Sequence, residues 1–204
     1  MKSSIYNNPF PLFTCPVNNP LQPQQPPPQA NSLAIPYPTP SQTMTSTAPT
    51  NSADPTPQIL PAEPSDIAPI KAIITAAYSP YIPRLPKPPA PLSTDYTLAA
   101  KNKTLFTLHL GARICGSIIL LNGQDSLIID NMAIDPEIQG KGLGRVMLGF
   151  AEGEAKTRGF AALSLYTNVL MVENLGLYAR WGFLETGRRT EEGFHRVFFR
   201  MELG

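Results

Sequence analysis

Sixteen of the 24 prolines in this 204-residue chain fall before Ser65, and that asymmetry divides the sequence. Proline fixes φ and carries no backbone donor, so a segment this rich in it cannot build the interior of a helix or sheet. Only Lys2, Asp54 and Glu63 carry charge in the same stretch, and apolar residues are sparse. Runs such as Gln22-Pro23-Gln24-Gln25-Pro26-Pro27-Pro28 cannot recover the entropy lost on ordering, which predicts an extended, disordered tail over residues 1–57. From Gln58 the composition is that of a globular domain, and the ~145 residues of 58–204 suffice for one core.

Several function classes are disfavoured early. Ile5 to Phe13 is interrupted by Asn7, Asn8, Pro9 and Pro11, so no continuous apolar run of a secretory signal follows Lys2. No stretch approaches the ~20 apolar residues of a membrane span. Cys15 falls in the tail and Cys115 in a predicted strand, which makes a disulfide framework improbable and an inert thiol the reading for Cys115. The net charge is +1 with no clustered Lys/Arg stripe, so nucleic acid is not an expected partner. The expectation is a cytoplasmic protein, monomer or homodimer, away from membranes. Met44 is an alternative start.

Within the domain, Gln58–Pro61 reads as a short strand, and Ser65 as the cap of a helix running to Tyr78 with Ile67, Ile70, Ile74 and Ala77 on one face. Six prolines interrupt Ser79–Leu92, which predicts a structured loop. Strands are predicted over Thr104–Leu110 and Arg113–Leu121, joined at Gly111, and over Ser126–Ile134 after the Asn122-Gly123 turn signal. A helix over Gly142–Arg158 should carry Leu143, Val146, Met147, Phe150 and Glu154 on one face, and Gly159 should end it. A strand over Phe160–Thr167, a helix capped by Asn168 and reaching Trp181, and strands over Phe183–Arg188 and His195–Leu203 complete the order. The result is a mixed sheet with helices on its faces.

Two motifs carry chemistry. In Ile134-Asp135-Pro136-Glu137-Ile138-Gln139-Gly140-Lys141-Gly142-Leu143-Gly144-Arg145, three alternate glycines sit between a strand and a helix. They allow close backbone approach and expose amides at a helix N-terminus, where an anion is favoured. Taken alone, they could equally be a plain strand-to-helix turn. A Walker run is missing, and a dinucleotide fingerprint would need glycine where Arg145 or Met147 stands. The second motif, Leu177-Tyr178-x-x-x-Gly182-Phe183, places a tyrosine on a late helix. Alone, it would more simply be a core residue.

Together, Gln139-x-x-Gly142-x-Gly144 after Met132-Ala133-Ile134-Asp135-Pro136, and the Tyr178 junction downstream, resemble the Gcn5-related N-acetyltransferase (GNAT) superfamily over roughly Gln58 to Leu203. The resemblance implies an α+β fold of αβα layers, with a mostly antiparallel sheet of six to seven strands. It implies acetyl-CoA as co-substrate, with no metal, and an acceptor amine on a small molecule or protein. Met132, Ala133 and Ile134 would pair with the pantetheine arm, the Ile134 amide facing the thioester carbonyl. Amides of Gln139, Gly140, Lys141, Gly142, Leu143, Gly144 and Arg145 would hold the pyrophosphate, and Asn174 would contact pantetheine. Tyr178 would protonate the departing thiolate.

The chain departs from the family pattern in places. Met171 stands where many relatives have asparagine, and Tyr166 and Ile128 stand where different relatives carry a glutamate base. Asp130 is the remaining candidate base, an inert strand-end residue being the competing reading. His109 and His195 read as strand residues, without metal-ligand spacing. Ala77-Tyr78-Ser79-Pro80-Tyr81-Ile82-Pro83-Arg84, with Pro88-Pro89-Ala90-Pro91, resembles a segment of a group of uncharacterised bacterial acetyltransferases, which makes Tyr78, Tyr81 and Arg84 acceptor-side candidates. Direct acetyl transfer to a primary amine is the first reading. A non-catalytic acyl-CoA-binding module with a partner-recruiting tail is the alternative, and an RNA-directed acetyltransferase is disfavoured by charge.

Overall fold

A computed structural model describes residues 55–191 and 193–204, so the predicted tail lies almost wholly outside the described residues. Asp54–Gly204 form one compact unit. The chain runs β1 (Pro57–Pro61), α1 (Ile67–Tyr78), α2 (Tyr96–Lys101), β2 (Leu105–Leu110), β3 (Arg113–Asn122), β4 (Leu127–Ile134), α3 (Leu143–Thr157), β5 (Ala162–Asn168), α4 (Val172–Arg180), β6 (Leu184–Glu191) and β7 (Phe194–Glu202). Short 3₁₀ turns at Ser79–Arg84 and Ala90–Ser93 shape the proline-rich loop after α1. Among the described residues, no helix is long and apolar enough to cross a membrane.

The strands form a seven-stranded sheet in the order β1-β2-β3-β4-β5-β7-β6. Neighbours are antiparallel except β4 and β5, which run parallel because α3 carries the chain back across the sheet. Alternation along the strands feeds two cores. Ile118, Leu120, Leu127 and Ile129 pack with α3 on one face. Leu105, Ile119 and Ala133 pack with α1 and α2 on the other. This is the expected layering, with helices on both faces.

One irregularity sets the site. Ile119 lies opposite Asn131 and Leu120 opposite Ile129, so Asp130 is an extra residue on β4. A bulge of one residue exchanges the faces of everything after it. Ile129 therefore faces the α3 core, whereas Asn131 and Ala133 face α1. At the same point β4 parts from β5, their pairing ending at Ile129 with Leu165.

Several local expectations are corrected. Ser65 does not cap α1: it lies within a 3₁₀ turn, and the Asp66 carboxylate accepts the Glu63 N–H at 2.8 Å. Helix α2 was not expected, since six residues are too few to show a period; its cap is Asp95, accepting from the Leu98 N–H at 3.0 Å. The buried stripe of α3 is Leu143, Met147, Leu148, Ala151 and Ala155, leaving Val146 38% exposed. Small alanines let that face approach the sheet, while Glu154 accepts from Arg158 near the surface. Asn168 ends β5 rather than capping α4: its side chain accepts the Leu170 N–H at 2.9 Å, and α4 starts four residues later. The turn signalled by Asn122-Gly123 is a four-residue loop, closed by the Gly123 N–H to the Ser126 carbonyl at 3.0 Å.

Gly116 permits β3 to approach β4 closely, since a Cβ there would lie 2.6 Å from the Ala133 carbonyl oxygen. Backbone cannot step aside as a side chain can. Gly116→Ala is expected to lower the unfolding free energy by about 1–3 kcal/mol, read as an earlier urea midpoint. An unchanged midpoint would mean the two strands tolerate separation there.

Candidate active site

Where β4 and β5 part, they open a cleft of about 480 Å³, lined from the α1 side, both strands, the α3 N-terminus and α4. Its first wall is the free edge of β4. The Asp135 N–H bonds the Cys115 carbonyl at 2.9 Å on β3, and Gly116 pairs with Ile134. By alternation, Ile134 and Met132 turn their N–H and C=O groups away from β3, toward the cleft. Ala133 turns its groups inward to Ser117. The Ile134 carbonyl takes a 3.0 Å hydrogen bond from the Gln139 side chain, which ties the strand end to the following loop.

The second wall is that loop. Gly140 (φ 80°) and Gly142 (φ 79°) adopt left-handed backbone, the conformation in which successive N–H groups turn to one side. Among the described residues, the N–H groups of Gly140, Lys141, Gly142, Leu143 and Gly144 have no partner within the chain. They stand at the positive end of the 15-residue α3. Gly144 is constrained from the other side: a Cβ there would come 2.9 Å from the Trp181 ring. Arg145 donates to the Arg180 carbonyl at 3.1 Å and lies over Trp181, so it ties α3 to α4. Lys141 is exposed and does not line the cleft.

Helix α4 supplies the third wall. Gly182 (φ 96°) ends it, and the Phe183 N–H returns to the Tyr178 carbonyl at 3.0 Å. The Tyr178 ring is gripped by Trp181, Phe183 and Phe199 at centroid distances of 6.1, 6.1 and 5.6 Å. Its hydroxyl has no hydrogen-bond partner among the described residues and lines the cleft. Burial pushes its pKa up to about 12, so the phenol holds its proton at physiological pH. Asn174, on the same helix, lines the cleft and donates to Thr167 at 3.4 Å.

The bulge residue Asp130 also faces the cleft. Burial raises its carboxyl above the ordinary range, opposed by the Tyr166 hydroxyl donating at 3.3 Å and by the Arg196 guanidinium. Across from it, the buried Tyr78 hydroxyl accepts from Asn131 at 2.8 Å, and Tyr81 lies beside it with ring centroids 6.3 Å apart. Tyr78 and Tyr81 line the cleft; Arg84 does not, because Glu173 of α4 holds it at 2.7 Å. That ion pair straps the proline-rich loop to α4. Sequence reasoning missed Asn131, Trp181, Phe194 and Arg196 as lining residues, and gave Tyr166 no role. Asn131 and Trp181 lie within or beside the motifs, but the bulge decides which β4 residues face α1, and Phe194 and Arg196 are brought to the cleft by β7, which no local motif marks.

A turn of unpartnered amides, an open strand edge and a neutral phenol thus meet in one cleft. The family described as the acetyltransferase (GNAT) family matches residues 70–183. The chain belongs to this family. It is 33% identical over 76 residues to probable N-acetyltransferase 14 of Xenopus tropicalis, a match covering 36% of this chain and 37% of that protein. The chain therefore spans little more than a third of that curated relative's length. The GNAT fold is shared with ribosomal-protein-S18-alanine N-acetyltransferase from Escherichia coli: TM-score 0.57 and 23% identity, over 73% of this chain and 95% of that one. It is shared too with PaiA N-acetyltransferase from Thermoplasma acidophilum, solved in complex with coenzyme A: TM-score 0.60 and 12% identity, over 72% and 99%.

The buried Asp130 has a thermodynamic consequence for this GNAT domain. Its folded pKa is raised above the unfolded value, so its favourable contribution is complete below the unfolded pKa and is lost as pH rises through the folded one. Asp130→Asn is expected to raise the melting midpoint at pH 7.5, with the gap narrowing toward pH 4. A lower midpoint for the variant at pH 7.5 would contradict this sign.

Proposed function

We propose that residues 58–204 are a catalytic domain that moves the acetyl group of acetyl-CoA to a primary amine by direct attack. The observation that carries the reading is the convergence of the free β4 edge, the unpartnered amides at α3 and the Tyr178 hydroxyl on one cleft. Further support comes from fold neighbours solved with ligands: the Thermoplasma protein with coenzyme A, and a GNAT family acetyltransferase from Elizabethkingia anophelis with acetyl-CoA. The residues suit that co-substrate. Five free N–H groups at a helix N-terminus fit a pyrophosphate, and an unpaired strand edge fits an amide-bearing arm.

Acetyl-CoA supplies the acetyl group as a thioester that a neutral amine can displace. Residues Gln139–Arg145 hold the pyrophosphate, with Lys141 and Arg145 adding positive charge nearby. Met132 and Ile134 pair with the pantetheine arm alongside Ala133, and Asn174 meets it from α4. The Ile134 N–H polarises the thioester carbonyl. Asp130 takes one proton from the incoming ammonium, and its burial makes it a stronger base than an exposed carboxylate. A C–N bond forms, the C–S bond breaks, and Tyr178 gives its proton to sulfur. The second amine proton returns to the Tyr178 phenolate through solvent, so one proton is released per turnover.

Tyr178→Phe removes the proton donor but keeps the ring contacts. It should lower kcat by about 10²–10³-fold, with coenzyme A affinity within about twofold of wild type. Thiol release and calorimetric titration read the two quantities. Unchanged kcat would remove Tyr178 from the chemistry, and coenzyme binding without turnover across a broad amine panel would favour the non-catalytic acyl-CoA-binding module.

A further inference from the structure

The acceptor half of the cleft has a charge and surface pattern that selects among amines. Among the described residues lining the cleft, Asp130 is the sole carboxylate. Two cations line it, and both are engaged. Arg196 is 7% exposed, donates to Glu191 at 2.9 Å and lies over the Tyr166 ring at 4.4 Å. Arg145 belongs to the coenzyme end, bonded to the Arg180 carbonyl. Around Asp130 the walls are aromatic: Tyr78 and Tyr81 from the α1 side, Tyr166 from β5 and Phe194 from β7. Pro89 and Pro91 continue that wall. Lys87 lies over the Phe194 ring at 4.2 Å, bringing the proline-rich loop to the β6–β7 hairpin.

Each common class of amine makes a different demand on such a site. A polyamine or aminocyclitol needs a carboxylate for each of several ammonium groups, and the lining offers one. An acidic peptide needs a cation free to meet its carboxylates, and both lining arginines are already bonded. A single ammonium on an apolar body fits. The charge meets Asp130, and the body lies against ring faces, where cation–π attraction and burial both contribute. The Tyr166 hydroxyl, donating to Asp130 at 3.3 Å, fixes the carboxylate for that meeting.

We propose that the acceptor is a monocationic primary amine carried on an apolar or aromatic body, its ammonium seated on Asp130 among Tyr78, Tyr81, Tyr166 and Phe194. The inference rests on the acetyl-transfer reading above, and it is tested with the full chain and acetyl-CoA on 2-phenylethylamine, hexylamine, spermidine and an acidic tripeptide with a free N-terminus. The two monoamines should exceed spermidine and the peptide in kcat/KM by at least about 30-fold, the scale of one misplaced charge in a closed site. Spermidine or the peptide as the better substrate overturns the inference. Should no amine turn over, calorimetric binding to the coenzyme A-saturated protein decides between failures. Tighter binding of 2-phenylethylamine than of spermidine keeps the acceptor class while removing catalysis, and equal or reversed affinities remove both. Asp130→Asn should weaken 2-phenylethylamine binding by about tenfold or more while leaving coenzyme A binding unchanged. Phe194→Ala, at the first residue of β7, should cut the preference for 2-phenylethylamine over spermidine by about three- to tenfold, and an unaltered preference counts against the aromatic wall.

Discussion

The inserted residue at Asp130 is the constraint on which the remaining geometry depends. A regular β4 would keep pairing with β5 to the end of the strand, leaving no free edge and no cleft. With one extra residue, β4 twists away after Ile129, and Asn131 exchanges faces to meet Tyr78 of α1. Ile134 and Met132 are left with backbone groups that β3 cannot reach. The same insertion delivers the loop at Gly140–Gly144 to the mouth of the opening, because the Gln139 side chain ties it to the Ile134 carbonyl. Strand edge and anion cradle are therefore two consequences of one irregularity.

The electrostatics follow from burial in the same place. Enclosure raises both Asp130 and Tyr178. A carboxylate that costs stability when ionised takes up a proton more readily, whereas a phenol pushed higher keeps its own at physiological pH. Burial is the largest cause at both; Tyr166 and Arg196 oppose it at Asp130, and Tyr81 adds to it at Tyr178. Stability is given up at Asp130 when it ionises.

Much of this was legible in the residues. The glycine spacing after Met132-Ala133-Ile134-Asp135-Pro136 and the Tyr178-to-Phe183 junction read correctly as elements, because the first leads from an apolar strand into the glycine start of a strong helical period at Gly142 and the second joins a helical period to a strong stop at Gly182. The seven strands were recoverable from alternation and turn residues. What escaped is tertiary. The bulge at Asp130 leaves only a faint local trace, the strand-disfavouring pair Asp130-Asn131, which does not say that a residue is inserted there. The buried face of α3 was misplaced by one position because Ala151 and Ala155 weigh little in a hydrophobic pattern yet pack against the sheet. Asn168 has the chemistry of a helix cap, and it used it on Leu170 within a turn. Arg84 belongs to the proline-rich loop after α1, but Glu173 holds it outside the cleft.

Backbone amide exchange at β4, followed residue by residue by NMR with and without coenzyme A, bears most directly on the open-edge account. Ala133, turned toward β3, should exchange slowly in both states. Met132 and Ile134 should exchange freely in the unliganded protein and become protected by at least about tenfold when coenzyme A is added, as amides that acquire a partner do. Met132 and Ile134 already protected in the unliganded protein, or unmoved by coenzyme A at saturation, would contradict it.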